Sequence, residues 1–500
     1  MKPTYQLLLP LEHTRQVSIT GTYLEKLDTL LSQDLDFHEQ GSGYASHNFH
    51  SFPAKFPPQL PRKFIQGLTE AEEVVIDPMV GSGTTVVEAY LSGRRAIGLD
   101  IDPLALLVSK VKVIPLDIEQ IARLGSEILR RARTLATEEQ RELKERLRVR
   151  WDARTRKFVN YWFAAETQIE LLSLIMEIEK LEDEAVRAFF KLVFSAIIIT
   201  KSGGVSLAFD LAHTRPHRAK VVYSSDGDIV SGHDLIDSPS SRVKFLTKTL
   251  RSPLQEFEKR FRQNLEGLHM VRVGAFQPQV SFGDAQSLPL DEESVDLIVT
   301  SPPYAANAID YMRAHKFSLV WMGFPIHDLG QKRKEYIGGE AVTGIDYEAL
   351  PGEAAEVVAD VASVDEKRGQ VLHRYYSEMT RTLREMFRVL KSGKAAIVVV
   401  GNSTMRGKDT QTHACLADIG RSIGFDVPRI GIRHLDRDRR MMPAGARVDS
   451  ESQIQQRMHE EYVIGFYKPA NQRNHLLHAT ALSRRVVSAL FCLLLGNLCS

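Results

Sequence analysis

Only three cysteines occur among 500 residues, Cys415, Cys492 and Cys499. Their spacing offers no disulfide framework and no metal knot, which fits a reducing cytoplasm. An excess of one charge is missing too. The formal net charge is +1, so the overall balance neither supports nor excludes a nucleic-acid partner. The opening stretch MKPTYQLLLPLEHTR is broken too early for a signal peptide. The closing stretch Val486 to Ser500 is apolar but shorter than a bilayer span, and it reads as a packed or sticky terminal helix, with a membrane anchor as the weaker alternative. No membrane partner is expected. His213 and His217 stand without cysteines or paired acids, so no metal is expected either. Internal repeats are absent.

What is present is the composition of a folded soluble protein, 43% hydrophobic and 25% charged, long enough for two or three lobes. Residues 1–43 read as an N-terminal extension. Over residues 44–115 strand-like runs alternate with helical ones, VVIDPMV, then TTVVEAYLSG, then RRAIGLDI, a rhythm that predicts βαβ units and a parallel sheet. From 116 to 275 the pattern is largely helical, with apolar residues at three- and four-residue steps among dense charge. Ser202 to Lys220, with its glycines, reads as an exposed loop. Strand signals resume at VSFGDA and SVDLIVTSPPY and continue to about residue 470 through AAIVVVGNS, FDVPRIGIR and EEYVIGFYKP. A sheet that pauses and resumes implies an insertion between its strands. Residues 330–370, rich in glycine and acids, read as a long surface loop. A tail follows from 471 to 500.

Chemistry gathers at predicted strand ends, where open α/β sheets bind ligands. DPMVGSGTT, Asp77 to Thr85, follows the strand VVI and leads into a helix. Gly81 and Gly83 permit a tight turn, and the helix N-terminus offers free N–H groups. No Gly-Lys-Ser/Thr follows, so this is not a Walker loop. The next strand ends at Asp100, an acid placed to grip ribose hydroxyls. Asp102 competes for that role, although a helix N-cap before Pro103 explains it equally well. Asp284, in FGDA, is placed to accept from an adenine amino group. The fourth strand delivers Ser301-Pro302-Pro303-Tyr304. Two prolines remove backbone donors and hold the chain extended, so a hydroxyl and carbonyl oxygens point in fixed directions beside an aromatic ring. Such parts suit a site that grips an amino group and stacks a flat base.

Together, DPMVGSGTT, GLDID, FGDA and TSPPY resemble the amino-methylating DNA methyltransferases that use S-adenosylmethionine. HSFPAKFPPQLPRKFI, His50 to Ile65, is similar to that family's N-terminal motif. The resemblance covers most of residues 44–115 and 275–470. It implies a Rossmann-like α/β fold, a mostly parallel sheet with a terminal antiparallel strand, carrying a largely helical insertion. It also implies S-adenosyl-L-methionine held by Phe52, Pro53, Ala54, Lys55, Phe56, Asp77, Pro78, Gly81, Ser82, Gly83, Thr84, Asp100 and Asp284. Ser301, Pro302, Pro303 and Tyr304 would be catalytic. Serine before Pro-Pro-Tyr implies cytosine N4 as the target in double-stranded DNA; adenine N6 is the alternative. Family membership also suggests a functional pairing with a restriction endonuclease.

Candidate DNA contacts are Arg215 and Arg218 in the Ser202–Lys220 stretch, and Arg437, Arg439 and Arg440 in the basic run Arg429 to Arg447. The insertion is the expected target-recognition region. RNA or protein methylation on the same fold is a competing reading. A non-catalytic nucleotide- or DNA-binding module is another, but it has no use for a serine and a tyrosine flanking two prolines. A nicotinamide dehydrogenase is disfavoured, because GSGTT lacks the third glycine of the dinucleotide fingerprint.

Overall fold

The computed structural model describes residues 20–53, 55–200, 202–209, 211, 216–236, 240, 243, 246–269, 276–305, 310–435 and 460–470. Ala54, Arg215, Arg437, Arg439, Arg440, His213 and the apolar tail 471–500 lie outside the described residues.

Seven strands form the central sheet: β1 (Val74–Asp77), β2 (Arg95–Asp100), β3 (Gln279–Phe282), β4 (Val295–Thr300), β5 (Leu390–Gly401), β6 (Ile430–His434) and β7 (Glu460–Tyr467). Across the sheet they run β6-β7-β5-β4-β1-β2-β3. Neighbours from β3 to β5 pair in parallel. β7 inserts antiparallel between β5 and β6. The order reverses beside β1, and that crevice is where an open α/β sheet binds its ligand. β4 is buried at every residue. It reads VDLIVT because helices cover both faces, leaving little reason for polar alternation.

Three helices, α1 (Tyr23–Ser32), α2 (Gln59–Leu68) and α3 (Thr84–Leu91), pack one face of the sheet through Leu30, Phe64, Val87 and Val399. α4 (Pro103–Val111) follows β2. The insertion then supplies α5 (Ile118–Glu138), α6 (Gln140–Val149), α7 (Ala153–Trp162), α8 (Ala165–Glu179), α9 (Glu184–Ile198) and α10 (Pro253–Leu268). After β4 come α11 (Tyr311–Leu319) and α12 (Ile326–Lys332). The opposite face of the sheet is covered by α13 (Gly352–Val364), α14 (Glu366–Val389) and α15 (Thr412–Ile423).

The helices of the insertion do not close a core of their own. Leu172, Phe190 and Phe194 belong to one apolar cluster with Leu104 and Val108 of α4, Phe317 of α11, and Trp321. A buried polar chain crosses the same boundary: His50 Nε2 lies 2.9 Å from Ser195 Oγ, which donates to Ser318 Oγ at 2.9 Å.

Two expectations are corrected. The stretch 330–370 is not all loop, because α13 occupies its second half. Ala354, Val357 and Val361 share one face of α13 and are buried, and Ala362 lies so close to Gly369 of α14 that a Cβ there would meet it at 2.5 Å. Nor is 202–220 an exposed loop throughout. Residues 203–208 are buried, and Gly203 and Gly204 adopt positive φ with carbonyl oxygens of Ala208 and Ile197 in the space a Cβ would fill. Glycine serves close packing there rather than flexibility.

Candidate active site

The cleft lies at the carboxyl edge of β1, β2, β3 and β4. Its empty volume is about 860 Å³, part of it open to solvent. Of the residues singled out in the sequence, Phe52, Pro53, Lys55, Phe56, Asp77, Pro78, Gly81, Ser82, Thr84, Asp100, Asp284, Ser301 and Pro303 line it. Residues from distant parts of the chain, Phe52 and Pro303 among them, therefore meet at one place. Gly83, Pro302 and Tyr304 stand outside the lining.

The glycine loop is shaped by close approach. Gly83 has φ +79°, and a Cβ would fall 2.9 Å from Ser109 Cβ, so it lets α3 and α4 meet. Gly81, at φ +46°, faces the Phe52 ring. The α3 N-terminus begins at Thr84 with no side-chain cap, leaving amide donors open towards the cleft. Behind the loop, buried Lys112 Nζ donates to the Ser82 carbonyl at 2.6 Å. Buried Glu88 on α3 ties down the N-terminal segment: Tyr44 Oη donates to it at 2.7 Å, His47 Nε2 lies at 2.7 Å and Arg62 Nε donates at 2.7 Å.

Asp100 at the tip of β2 accepts from Gly81 N at 2.9 Å and from Asp102 N at 2.9 Å. Burial first, and the neighbouring Asp102 second, push its carboxyl up to about 7. Asp77 is buried and pushed up to about 6 by desolvation. Its carboxylate accepts from Thr300 Oγ1 at 2.7 Å, and Thr85 Oγ1 donates to the Val299 carbonyl at 3.0 Å. The residue before Ser301 is thus hydrogen-bonded to the end of β1. Asp102 is the N-cap of α4, accepting from Leu104 N at 2.7 Å. It also lies 2.6 Å from His315 Nδ1 and accepts from Tyr336 Oη at 2.8 Å. Asp284 is exposed in the cleft, in a turn where its carboxylate accepts from Gln286 N at 2.9 Å.

Sequence reasoning missed several walls. Tyr311 stacks on Phe52 with ring centroids 5.6 Å apart. Tyr336 and Ile337 come from the segment between α12 and α13. That segment is clamped by a buried pair on α14, Arg374 and Glu378, 2.8 Å apart. Arg374 donates to the carbonyls of Lys334 and Ala341 at 2.9 Å each, and Glu378 accepts from Gly338 N at 2.7 Å. The signal was faint: Tyr336 is one of two tyrosines in a Gly- and acid-rich run.

Arg218, expected at DNA, donates through Nε to the Tyr161 carbonyl at 2.8 Å and lies over the Tyr161 ring, outside the cleft lining. Among the described residues no cluster of three or more His, Cys, Asp or Glu side chains could hold a metal ion. No described helix is long and apolar enough to cross a membrane.

A sheet of this order, with a glycine loop after β1, an acid after β2 and a cleft across their ends, is that of a Rossmann-like methyltransferase. Comparison with known proteins narrows the class. Residues 23–110 match the family described as DNA methylase of the N6/N4 type. The Type II methyltransferase M.MvaI of Kocuria varians is 24% identical over 409 residues, 78% of this chain and 84% of that protein. M.MjaII of Methanocaldococcus jannaschii is 22% identical over 449 residues, 72% of this chain and 81% of its own. Among solved structures, the rRNA methyltransferase aviRa of Streptomyces viridochromogenes aligns over 89% of this chain and 96% of its own at 10% identity. The TM-score of that alignment is 0.24.

The family match over residues 23–110 and the Type II relatives support the amino-group DNA methyltransferase family. The chain is a DNA methyltransferase of the N4/N6 kind, with S-adenosyl-L-methionine as methyl donor. The cleft fits that donor. Asp100 and the exposed Asp284 offer carboxylate acceptors suited to hydroxyl and amino donors, and the uncapped N-terminus of α3 offers amide donors suited to a carboxylate.

Proposed function

We propose that this enzyme methylates the exocyclic N4 of cytosine in duplex DNA, on a base turned out of the helix. One observation carries the reading: Ser301 and Pro303 line the same cleft as Asp77, Gly81 and Asp100. An exocyclic amine is a poor nucleophile because its lone pair is delocalised into the ring. Where it donates to Ser301 Oγ and the Pro302 carbonyl, the nitrogen can pyramidalise and localise that pair. The donor supplies a methyl group on a sulfonium, open to a single in-line displacement, for which orientation supplies much of the acceleration. Ser301 and the prolines hold the amine. Phe52, Tyr311 and Tyr336 wall off water. Tyr304 adds an aromatic ring beside the base, and stacking of that kind is worth roughly 1–3 kcal/mol against the cost of extrusion.

Serine before Pro-Pro-Tyr supports cytosine over adenine, as the family resemblance implies. Residues 116–275 are the proposed target-recognition region. A restriction endonuclease acting on the same sequence is the functional partner that the Type II relatives suggest, and the cytoplasm is the proposed location. Incubation with labelled S-adenosylmethionine and heterogeneous unmodified DNA, then mass spectrometry of the nucleosides, should yield N4-methylcytosine. N6-methyladenine would overturn the base assignment, and no methylated nucleoside the whole reading.

Asp100 gives a pH signature. Ribose hydroxyls donate to its ionised form, whereas burial holds the free carboxyl up to about 7. Binding therefore draws its pKa down, and affinity for S-adenosylmethionine should tighten between pH 6 and 8. A proton should be released near pH 7, measurable by calorimetry in buffers of different ionisation enthalpy. For the ligand-free protein the sign is opposite. The raised pKa values of Asp77 and Asp100 contribute stability present below about 4, the ordinary aspartate value, and lost as pH climbs through about 6 and 7.

A further inference from the structure

We propose that Glu461 on β7, backed by Arg433 on β6, is a positioning residue that fixes the ring of Tyr304 for the reaction. This rests on the reading of Ser301–Tyr304 as the corner that holds the base. Pro302 and Pro303 set the backbone, but nothing in their rings restrains the side-chain torsions of Tyr304. The restraint comes from elsewhere. Tyr304 Oη donates to Glu461 Oε1 at 2.9 Å, and each of these residues is only 8% exposed. The second carboxylate oxygen, Oε2, is taken by the Arg433 guanidinium.

Topology explains how residues 157 positions apart meet. Because β7 runs antiparallel, its first residues stand at the same edge as the last residues of β4 and β5. Glu461 pairs in register with Gly401, which ends β5, and with Arg433 across the β6–β7 ladder. Tyr304, β5, Glu461 and Arg433 thus form one line along the carboxyl edge, on the side away from the glycine loop.

A carboxylate and a guanidinium this poorly solvated are a costly way to fill space, and apolar side chains of similar size would do it as well or better. What they add is direction. A phenol that donates to a carboxylate makes a charge-assisted bond with a narrow angular preference, and Arg433 holds the carboxylate's other oxygen. A hydroxyl held at one end of the ring sets the ring plane, and that plane is the surface a base would meet.

The test is a double-mutant cycle on the full chain, scored by methyl incorporation into heterogeneous unmodified DNA and by calorimetric binding of S-adenosylmethionine. E461A should lower kcat about tenfold with cofactor affinity within twofold. E461Q, which keeps an acceptor oxygen, should recover most of that loss. Y304F should lower kcat as far as E461A does, and the Y304F/E461A pair should lose no more than either single variant. Wild-type kcat in E461A or in Y304F, or losses that multiply in the pair, would overturn the proposal. A second readout is independent of the substrate: the 19F resonance of fluorotyrosine at position 304, assigned by its absence in Y304F, should shift or broaden in E461A. An unchanged resonance would overturn the positioning role. A wild-type protein that methylates no DNA would overturn only the reading of the substrate.

Discussion

Ser301→Ala is expected to slow methyl transfer on the order of 10²-fold while leaving S-adenosylmethionine affinity within about twofold. In the proposed reaction the hydroxyl is one of two acceptors that orient the amine, and loss of orientation of that kind typically costs about two orders of magnitude. Cofactor binding should survive because the residues proposed to hold it come from the ends of β1, β2 and β3 and from the N-terminal segment, none of which uses Ser301 Oγ. Thr300 and its bond to Asp77 keep the strand end in place, so the defect should fall on kcat rather than on folding. Single-turnover rates with saturating DNA, set beside cofactor titration, check this. A variant that turns over at the wild-type rate would remove the hydroxyl from the chemistry.

Glu378→Ala should be the most destabilising single change outside the cleft. It leaves the Arg374 guanidinium, 2% exposed, without its anion. Breaking a buried pair in this way costs about 3–5 kcal/mol. The same change frees Gly338 N and slackens the segment that carries Tyr336 and Ile337, so cofactor affinity should fall as well. The paired replacement Arg374→Met with Glu378→Leu separates the two effects. Stability should largely return, because neither charge remains. Affinity should not, because the carbonyls of Lys334 and Ala341 still lack their donor. Urea unfolding and calorimetry distinguish these outcomes, and a loss below about 1 kcal/mol in Glu378→Ala would contradict the account.

Where a candidate residue sits within a few residues of a strand end, the sequence was enough to place it at the cleft. Asp77, the glycine loop, Asp100 and Ser301 each stand at the end of a largely apolar strand, Asp284 follows the more exposed edge strand β3, and a parallel sheet brings such ends to one edge. The strands themselves were legible for the same reason, down to the terminal hairpin. Tyr311, Tyr336, Ile337 and Glu461 were not legible, because their positions depend on pairings between distant segments that no local pattern encodes. Asp102 shows the intermediate case. The N-cap is visible beside Pro103, whereas its contacts with His315 and Tyr336 are not. The helix α13 was hidden by composition, since glycine and acids at its flanks outweighed the spacing of Ala354, Val357 and Val361. Gly203 and Gly204 misled in the opposite sense, because a glycine chosen for tight packing and one chosen for freedom look alike in a string of letters.

The shared apolar cluster of the insertion limits how this enzyme can be re-engineered or can diverge. Cutting at residues 116 and 275 and grafting in a relative's segment would strand Leu104, Val108, Phe317 and Trp321 against a foreign surface. It would also leave His50 and Ser318 without the hydroxyl of Ser195. Any workable transplant has to carry the inward faces of α4 and α11 with it. If residues 116–275 read the target, as proposed, new target preferences are to be sought by altering solvent-facing positions on a retained scaffold, not by exchanging the block whole.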